Sequence, residues 1–476
     1  MTTRLIYNPM FTTVEADPDT FDIIHAHLRV THPGRQHMAN FKNRVWDGRI
    51  AMMDKRTGRF PSGLLDRVEK KLKSMKIPYE VDRSHDPSLE VNPTGLPGAA
   101  QDIIFRAWQR DTVPLLAKAK RGIAQFPEGT GKSLAIWALI EYLQRPRTFI
   151  LTKAAQLVRQ LAKELSKLMG EPVAILQGKG YQIGNITVGT ISSTKDYLEA
   201  PDVAKALHET ELLIVDECKH MAGDSAQAIL KACWAPYRFG FDARPFPKGD
   251  MLKKALIEGY LGPVVASMTV QDATDKGFNA PVHIHTLWAG DPNDTEIGLE
   301  DDFDDVVLRK FILDPEIQEQ VVRAVKWFVH RDIPVLVASP YNVEMMEIIV
   351  TYLRADGIKV TQVSGKQTGI QQQAIVEDFN AGKIGVLIKT KVLGEGTDMP
   401  TAAALINLAV ARSDQNVGQG VGRVRRSKAR AWVVEFLSAR HRFLMRAYRD
   451  RLNLYIKDGY TIHDIGDWME LPDDPT

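Results

Sequence analysis

Glu128-Gly129-Thr130-Gly131-Lys132-Ser133 is the stretch that decides how this chain is read. Its glycines let backbone N–H groups curl around phosphate oxygens, and a helix starting there adds its N-terminal field. Lys132 is suited to the β- and γ-phosphates, and the Ser133 hydroxyl to a place on Mg²⁺. Glu128, Gly129, Thr130 and Gly131 complete the cradle. Phe126 stands where the usual pattern has its first glycine, so the match is a variant. An ordinary turn before a helix would look similar, and the weight comes from the residues downstream. Leu134–Leu143 continues as a helix, and Leu213-Ile214-Val215-Asp216-Glu217 ends a buried strand on two carboxylates. Asp216 suits Mg²⁺, through water, and Glu217 suits the orientation of an attacking water. The ligands implied are ATP and Mg²⁺.

Three further blocks surround this pair. Phe105–Arg110 carries Gln109, whose amide can donate and accept together as an adenine edge requires. Thr390–Pro400 offers the Thr390 hydroxyl, the backbone of Gly396, and Asp398 as an acid for a ribose hydroxyl. Gln419-Gly420-Val421-Gly422-Arg423-Val424-Arg425-Arg426 ends in planar, permanently charged donors. Gln419, Arg423 and Arg426 are assigned to the γ-phosphate, where such donors act only when two lobes close on the nucleotide. Arg425 and Lys428 read instead as an exposed face or nucleic-acid contacts. His220, close behind Glu217, reads equally well as structural or as coupling.

The chain has 476 residues, 44% hydrophobic and 25% charged, which fits a globular protein of about three domains. No apolar run approaches the roughly 20 residues of a membrane span. The N-terminus lacks an apolar signal core, and Cys218 and Cys233 are the only cysteines, so a cytoplasmic setting is expected. Net charge is +2, yet the cations are grouped. Arg35, Lys42, Arg44, Arg49, Lys55, Arg56, Arg59, Arg67, Lys70, Lys71, Lys73 and Lys76 face only Asp47, Asp54, Asp66 and Glu69. A second run extends from Arg423 through Arg451. One such run is an ordinary solvated face, whereas two on a balanced chain point to a polyanion.

Residues 1–97 read as a small α+β module ending in the breaker-rich linker Asn92–Gly98. In it, Leu5–Tyr7 and Thr12–Val14 read as strands, Asp19 or Thr20 as a helix cap, and Arg49–Met53 with Thr57-Gly58 as a hairpin. Short apolar runs then alternate with amphipathic helices, the grammar of parallel βαβ units. Thr148–Leu151, Ile186–Val188, Leu212–Val215 and Arg238–Phe241 are strands of one lobe. After the acidic stretch Asp291–Asp305, a hinge, come Val335–Ala338, Lys359–Val363, Gly385–Ile388 and Ala404–Asn407. The fold class is α/β, with two tandem parallel-sheet lobes at 98–295 and 296–476. The second lobe lacks a phosphate loop of its own.

In this order the blocks resemble the superfamily 2 helicases, across roughly residues 101–440. Phe105–Arg110 is similar to their glutamine motif and Phe126–Ser133 to motif I, while Leu151–Gln156 resembles motif Ia. Asp216–His220, Phe241–Pro245, Thr390–Pro400 and Gln419–Arg426 resemble motifs II, III, V and VI. Lys219 and Asp242-Ala243-Arg244 depart from the usual motifs II and III. Within the superfamily, Phe41–Ile50 and Asp216-Glu217-Cys218 resemble the phage UvsW-type branched-DNA helicases. That resemblance implies RecA-like lobes and ATP-driven remodelling of forks and Holliday junctions by a monomer. It implies backbone contacts to DNA from Thr152, Thr190, Ser339 and Thr390, and a grip on duplex from the N-terminal module, including Lys42, Arg44 and Arg49. Residues 244–262 and the N-terminal module are candidates for a strand-separating pin. A duplex translocase, an RNA helicase and a non-motor nucleic-acid binder are the rival readings.

Overall fold

The computed structural model describes residues 2–92, 95–96, 103–289, 306–307, 311–339, 343–365, 367–389, 399–408, 420–426, 430–438 and 441–463. The expected hinge at 291–305, the block 390–398, Gln419 and Lys428 lie outside them. By contact density the chain divides into two compact units. One comprises Met1–Phe126 and Gly131–Met268, the other Pro127–Thr130 and Thr269–Thr476.

The N-terminal module supplies β1 (Thr3–Ile6), β2 (Phe11–Glu15), β3 (Arg29–Thr31), β4 (Arg49–Ala51), β5 (Arg59–Pro61) and β6 (Tyr79–Asp82). Four of them form a mixed sheet in the order β5-β2-β1-β6, and β3 with β4 makes a separate antiparallel ribbon. Helices Pro18–His27 and Leu65–Ser74 close a core around Leu5, Ile24, Phe60 and Leu72. The first helix is capped by Asp17, whose carboxylate accepts the Thr20 N–H at 2.9 Å, and not by Asp19 or Thr20. Pro18 at the first helical position favours this start. The hairpin expected after Arg49 is also redrawn: β4 pairs backward with β3, and β5 joins β2.

This module shares its compact unit with the first lobe. Arg238 is fully buried and donates to the carbonyls of Tyr260, Cys233 and Leu230 at 2.8–2.9 Å. It also reaches Met10 Sδ at 3.0 Å. The Leu230 and Cys233 carbonyls end the helix Asp224–Ala232, the negative pole of its dipole, which offsets part of the cost of burying a guanidinium. Burial still pushes Arg238 down to about 10. Arg121 donates to the Pro9 carbonyl.

The first lobe contains β7 (Arg121–Gln125), β8 (Thr148–Thr152), β9 (Ala174–Leu176), β10 (Ile186–Thr190), β11 (Leu212–Asp216), β12 (Tyr237–Asp242) and β13 (Val264–Ser267). All pair in parallel, in the order β13-β7-β12-β11-β8-β10-β9. Nearly every strand residue is buried, as helices on both faces of a parallel sheet require. Residues 244–262 are no free pin: helix Met251–Leu261 buries Ala255, Ile257 and Tyr260 and packs on Ser62–Leu64 of the N-terminal module.

The second unit repeats the plan with β14 (Val282–Ala289), β15 (Val335–Ala338), β16 (Val360–Val363), β17 (Val386–Lys389), β18 (Ala404–Asn407), β19 (Ala431–Ser438) and β20 (Thr461–Ile462). Its order is β16-β17-β15-β18-β19-β14-β20, again all parallel. Against a first lobe expected to end at 295, β14 already pairs here, along the whole of β19. The expected RecA-like fold class holds for both lobes.

Arg451 belongs to this core and not to a basic surface. Its Nε donates to Glu435 at 2.8 Å, with the two side chains 3% and 0% exposed. Asn407 Nδ2 donates to the same carboxylate at 2.6 Å, and the Tyr455 hydroxyl donates to it as well. Removing one member of such a pair strands a buried charge. Arg451→Ala is expected to lower unfolding stability by about 3–5 kcal/mol, read by denaturant titration. A loss below about 1 kcal/mol, the level of an exposed pair, would contradict this assignment.

Candidate active site

The phosphate loop rises from the end of β7 and leads into helix Lys132–Tyr142. Gly129 and Gly131 have φ of 80° and 90°, the left-handed region that turns successive N–H groups to one side. Thr130, fully buried, donates its hydroxyl to the Pro127 carbonyl at 2.7 Å, closing the turn. Lys132 Nζ folds back onto the Phe126 carbonyl at 3.3 Å. That long contact holds the ammonium over the loop and is easily exchanged for a charged oxygen. Ser133 comes next in the first helical turn, partly exposed, as is Glu128.

Gln109 lies beneath the loop, 1% exposed. Its Oε1 accepts the Arg106 N–H at 2.8 Å and its Nε2 donates to the Gly131 carbonyl at 2.9 Å. A Cβ on Gly131 would come 2.9 Å from that Nε2. The amide expected to read adenine therefore already braces the phosphate loop, with both of its ends on backbone groups.

Asp216 ends β11, and burial raises its pKa above the ordinary carboxylate value, against the pull of Lys132. Asp242 adds to the rise, and Lys219 opposes it. Glu217 comes next with φ 56° and ψ 54°, a left-handed conformation that costs a non-glycine residue about 1–3 kcal/mol. Its Oε2 lies 3.9 Å from His220 Nε2. Asp242 is the residue that sequence reasoning passed over. It ends β12 and accepts the Lys219 N–H at 3.0 Å and the Arg244 N–H at 2.8 Å. One carboxylate thus ties the turn after Asp216 to the loop after β12. Only the strand order reveals this, because β12 lies between β7 and β11.

Thr152 and Thr190 end β8 and β10 side by side, in register, and both are buried. The Thr190 hydroxyl accepts the Ser193 N–H at 3.0 Å and caps helix Ile191–Asp196. Ser339, after β15, is buried too. These three stand at strand ends as expected, but their side chains are not on the lobe surface. Lys42, Arg44 and Arg49 are exposed.

In the second unit, residues 420–424 are helical and Arg423 is buried. Arg425, expected on an exposed face, is buried as well; Nη1 donates to the Tyr460 hydroxyl at 3.3 Å. Its carbonyl accepts the Ala280 N–H at 2.8 Å. Arg426 is partly exposed. Lys389, at the end of β17, is pushed well below the usual lysine range by burial and by Arg423. Thr390, Gly396, Asp398 and Gln419 are outside the described residues.

Two parallel sheets and a phosphate loop backed by strand-end carboxylates define a P-loop nucleotide-binding protein. Residues 95–246 match the type III restriction enzyme res subunit, and residues 318–428 the helicase conserved C-terminal domain. With both domains in tandem, the chain belongs to the superfamily 2 helicases. It is 24% identical over 374 residues to the DNA 3'-5' translocase XPB2 of Sulfurisphaera tokodaii, covering 71% of this chain and 82% of the relative. It is 20% identical to the ATP-dependent RNA helicase ROK1 of Kluyveromyces lactis, over 76% of this chain and 61% of that one. Among solved structures, S. cerevisiae Dbp5 bound to RNA and ADP BeF3 aligns with TM-score 0.57 and 15% identity, over 78% of this chain and 93% of Dbp5. The T4 UvsW crystal structure aligns over 97% and 99% of the two chains, at TM-score 0.46 and 16% identity. Among the described residues no helix is long and apolar enough to cross a membrane.

The cradle fits a magnesium nucleotide: Ser133 and Asp216 would hold the ion, which would neutralise phosphate charge. Asp216 must be ionised to do so, and its raised pKa places protonation at a higher pH than for an ordinary carboxyl. Affinity for a fluorescent ATP analogue with Mg²⁺ is therefore expected to fall as pH drops toward the carboxylate range, while Asp216→Asn flattens that dependence. An unchanged pH profile in the variant would contradict it.

Proposed function

We propose that the chain is an ATP-dependent DNA helicase that remodels branched DNA, forks and four-way junctions, in recombination, repair and replication restart. The observation that supports this most is a pairing within one compact unit. Lys132, Ser133 and Asp216 share that unit with an N-terminal module whose exposed cations include Lys42, Arg44, Arg49, Lys55, Arg56 and Arg59. The name of the Sulfurisphaera relative, a DNA translocase, points the same way.

In this reading Lys132 contacts the β- and γ-phosphates, Ser133 and Asp216 hold Mg²⁺, and Glu217 orients the attacking water. Gln419, Arg423 and Arg426 are assigned to the γ-phosphate from motif order alone. Lys42, Arg44 and Arg49 neutralise DNA phosphates without reading sequence. Recognition of RNA is the second reading, favoured by the names of ROK1 and of the RNA-bound Dbp5 structure.

ATP hydrolysis measured with forked DNA, four-way junctions and structured RNA separates the two. Stimulation by the branched DNAs is expected, with Lys132→Ala abolishing it; stimulation by RNA alone would overturn the DNA assignment. Deleting residues 1–97 is a poor probe, because Met10 is part of the first lobe's core. Point changes are cleaner. Lys42→Ala and Arg44→Ala are each expected to reduce the slope of log affinity against log salt by about 1. Slopes equal to that of the unaltered chain would remove these residues from the DNA surface.

A further inference from the structure

The segment His32–Gly48, between β3 and β4, is exposed along most of its length yet closely tied. The Asn40 carbonyl accepts N–H groups from both Val45 and Trp46, at 2.9 and 3.1 Å. Trp46 Nε1 donates to the Arg49 carbonyl at 2.8 Å, and its ring meets His32 edge-on at 6.0 Å. The Arg35 guanidinium lies 5.1 Å over the Phe41 ring. Gly48, at φ 75°, packs so closely that a Cβ there would sit 2.4 Å from Arg35 Cδ and 3.0 Å from the Phe41 ring.

At the crest of this framed loop stands Val45, 78% exposed. Arg44 before it is held at φ 58°. A lone exposed apolar side chain is ordinary on a protein surface. Here it is carried by an ordered loop that accepts backbone strain to keep it outward, which a passive surface residue does not require. Its β-branch leaves it few rotamers, so little entropy is lost on insertion. Lys42, Arg44 and Arg49 surround it, all exposed. Asp47, the segment's one carboxylate, is already bound by Arg29 at 2.7 Å. The charge left around Val45 is positive.

We propose that Val45 is a wedge that enters the base-pair step where duplex meets single strand at a DNA fork, while Lys42, Arg44 and Arg49 hold the flanking phosphates. The inference rests on the DNA-motor reading above. Apolar side chains that unstack a base step need this combination: a small stiff group, held rigidly, with phosphate contacts on both sides to offset the unstacking. The partner class is a duplex end, not a peptide, because the loop is ringed by cations.

The test uses the full chain, without nucleotide, on a DNA fork carrying 2-aminopurine in the first paired position. The unaltered protein is expected to brighten the probe as the base unstacks. Val45→Asp is expected to remove the brightening and to slow fork unwinding by about tenfold or more. Gly48→Ala, which leaves Val45 present but crowds the loop that frames it, is expected to lose brightening too. Ile456→Asp, an equally blunt change at another exposed apolar residue (60% exposed), is expected to behave as the unaltered chain does. If forked DNA stimulates ATP hydrolysis but the probe stays dark, or if Val45→Asp brightens it normally, the wedge is wrong while the motor stands. If no nucleic acid stimulates ATP hydrolysis, the motor reading itself is wrong.

Discussion

Lys132 and Asp216 must share one magnesium nucleotide, yet they come from strands that are not neighbours. The phosphate loop succeeds β7, Asp216 ends β11, and β12 runs between them. Parallel strands lie about 4.8 Å apart, so two steps leave a gap of about 10 Å at the carboxyl end of the sheet. That gap has room for a phosphate group and a hydrated divalent ion. Adjacent strands would crush the pair together, and a further strand would separate lysine from metal. The end of β12 faces the gap from the middle, which is why Asp242 matters. It holds the Lys219 and Arg244 backbones and raises the Asp216 pKa.

The lobe's remaining features serve to keep that gap formed. Gln109 braces the loop from below by its Gly131 bond, and Lys132 is parked on the Phe126 carbonyl. On the far side of the fold, Arg238 and Arg121 reach carbonyls and Met10 so that the N-terminal module is seated against the same lobe. The cations of this protein therefore divide into two populations. Arg121, Arg238, Arg425 and Arg451 are buried and bind backbone or side-chain oxygens within the chain. Those from Lys42 to Arg59 are exposed and remain available to an outside polyanion.

That division explains how far the sequence could be read. Strands of unbroken apolar residues, such as Leu212–Val215 and Val335–Ala338, declared themselves. Arg121–Gln125 and Ala431–Ser438 did not, because a buried Arg121 or Glu435 inside a strand looks like a surface charge until its partner is known. His283 and His285 likewise disguise β14, which is why the first lobe reads as running on to 295. The phosphate loop and the Asp216-Glu217 pair were legible because each is contiguous and its chemistry is local. The brace by Gln109 and the tie by Asp242 were not, since both depend on which strands and helices lie side by side. Arg425 and Arg451 were misread for the same reason: charge runs show composition, not burial.

Strand spacing of this kind makes a magnesium-nucleotide site already framed in the chain alone. A crystal structure with a non-hydrolysable ATP analogue and Mg²⁺ tests it most directly. The expected result has the phosphates in the 128–133 loop, Lys132 Nζ moved from the Phe126 carbonyl to a phosphate oxygen, and the ion on the Asp216 side of the gap. Nucleotide bound elsewhere, with Lys132 still on Phe126, would contradict it.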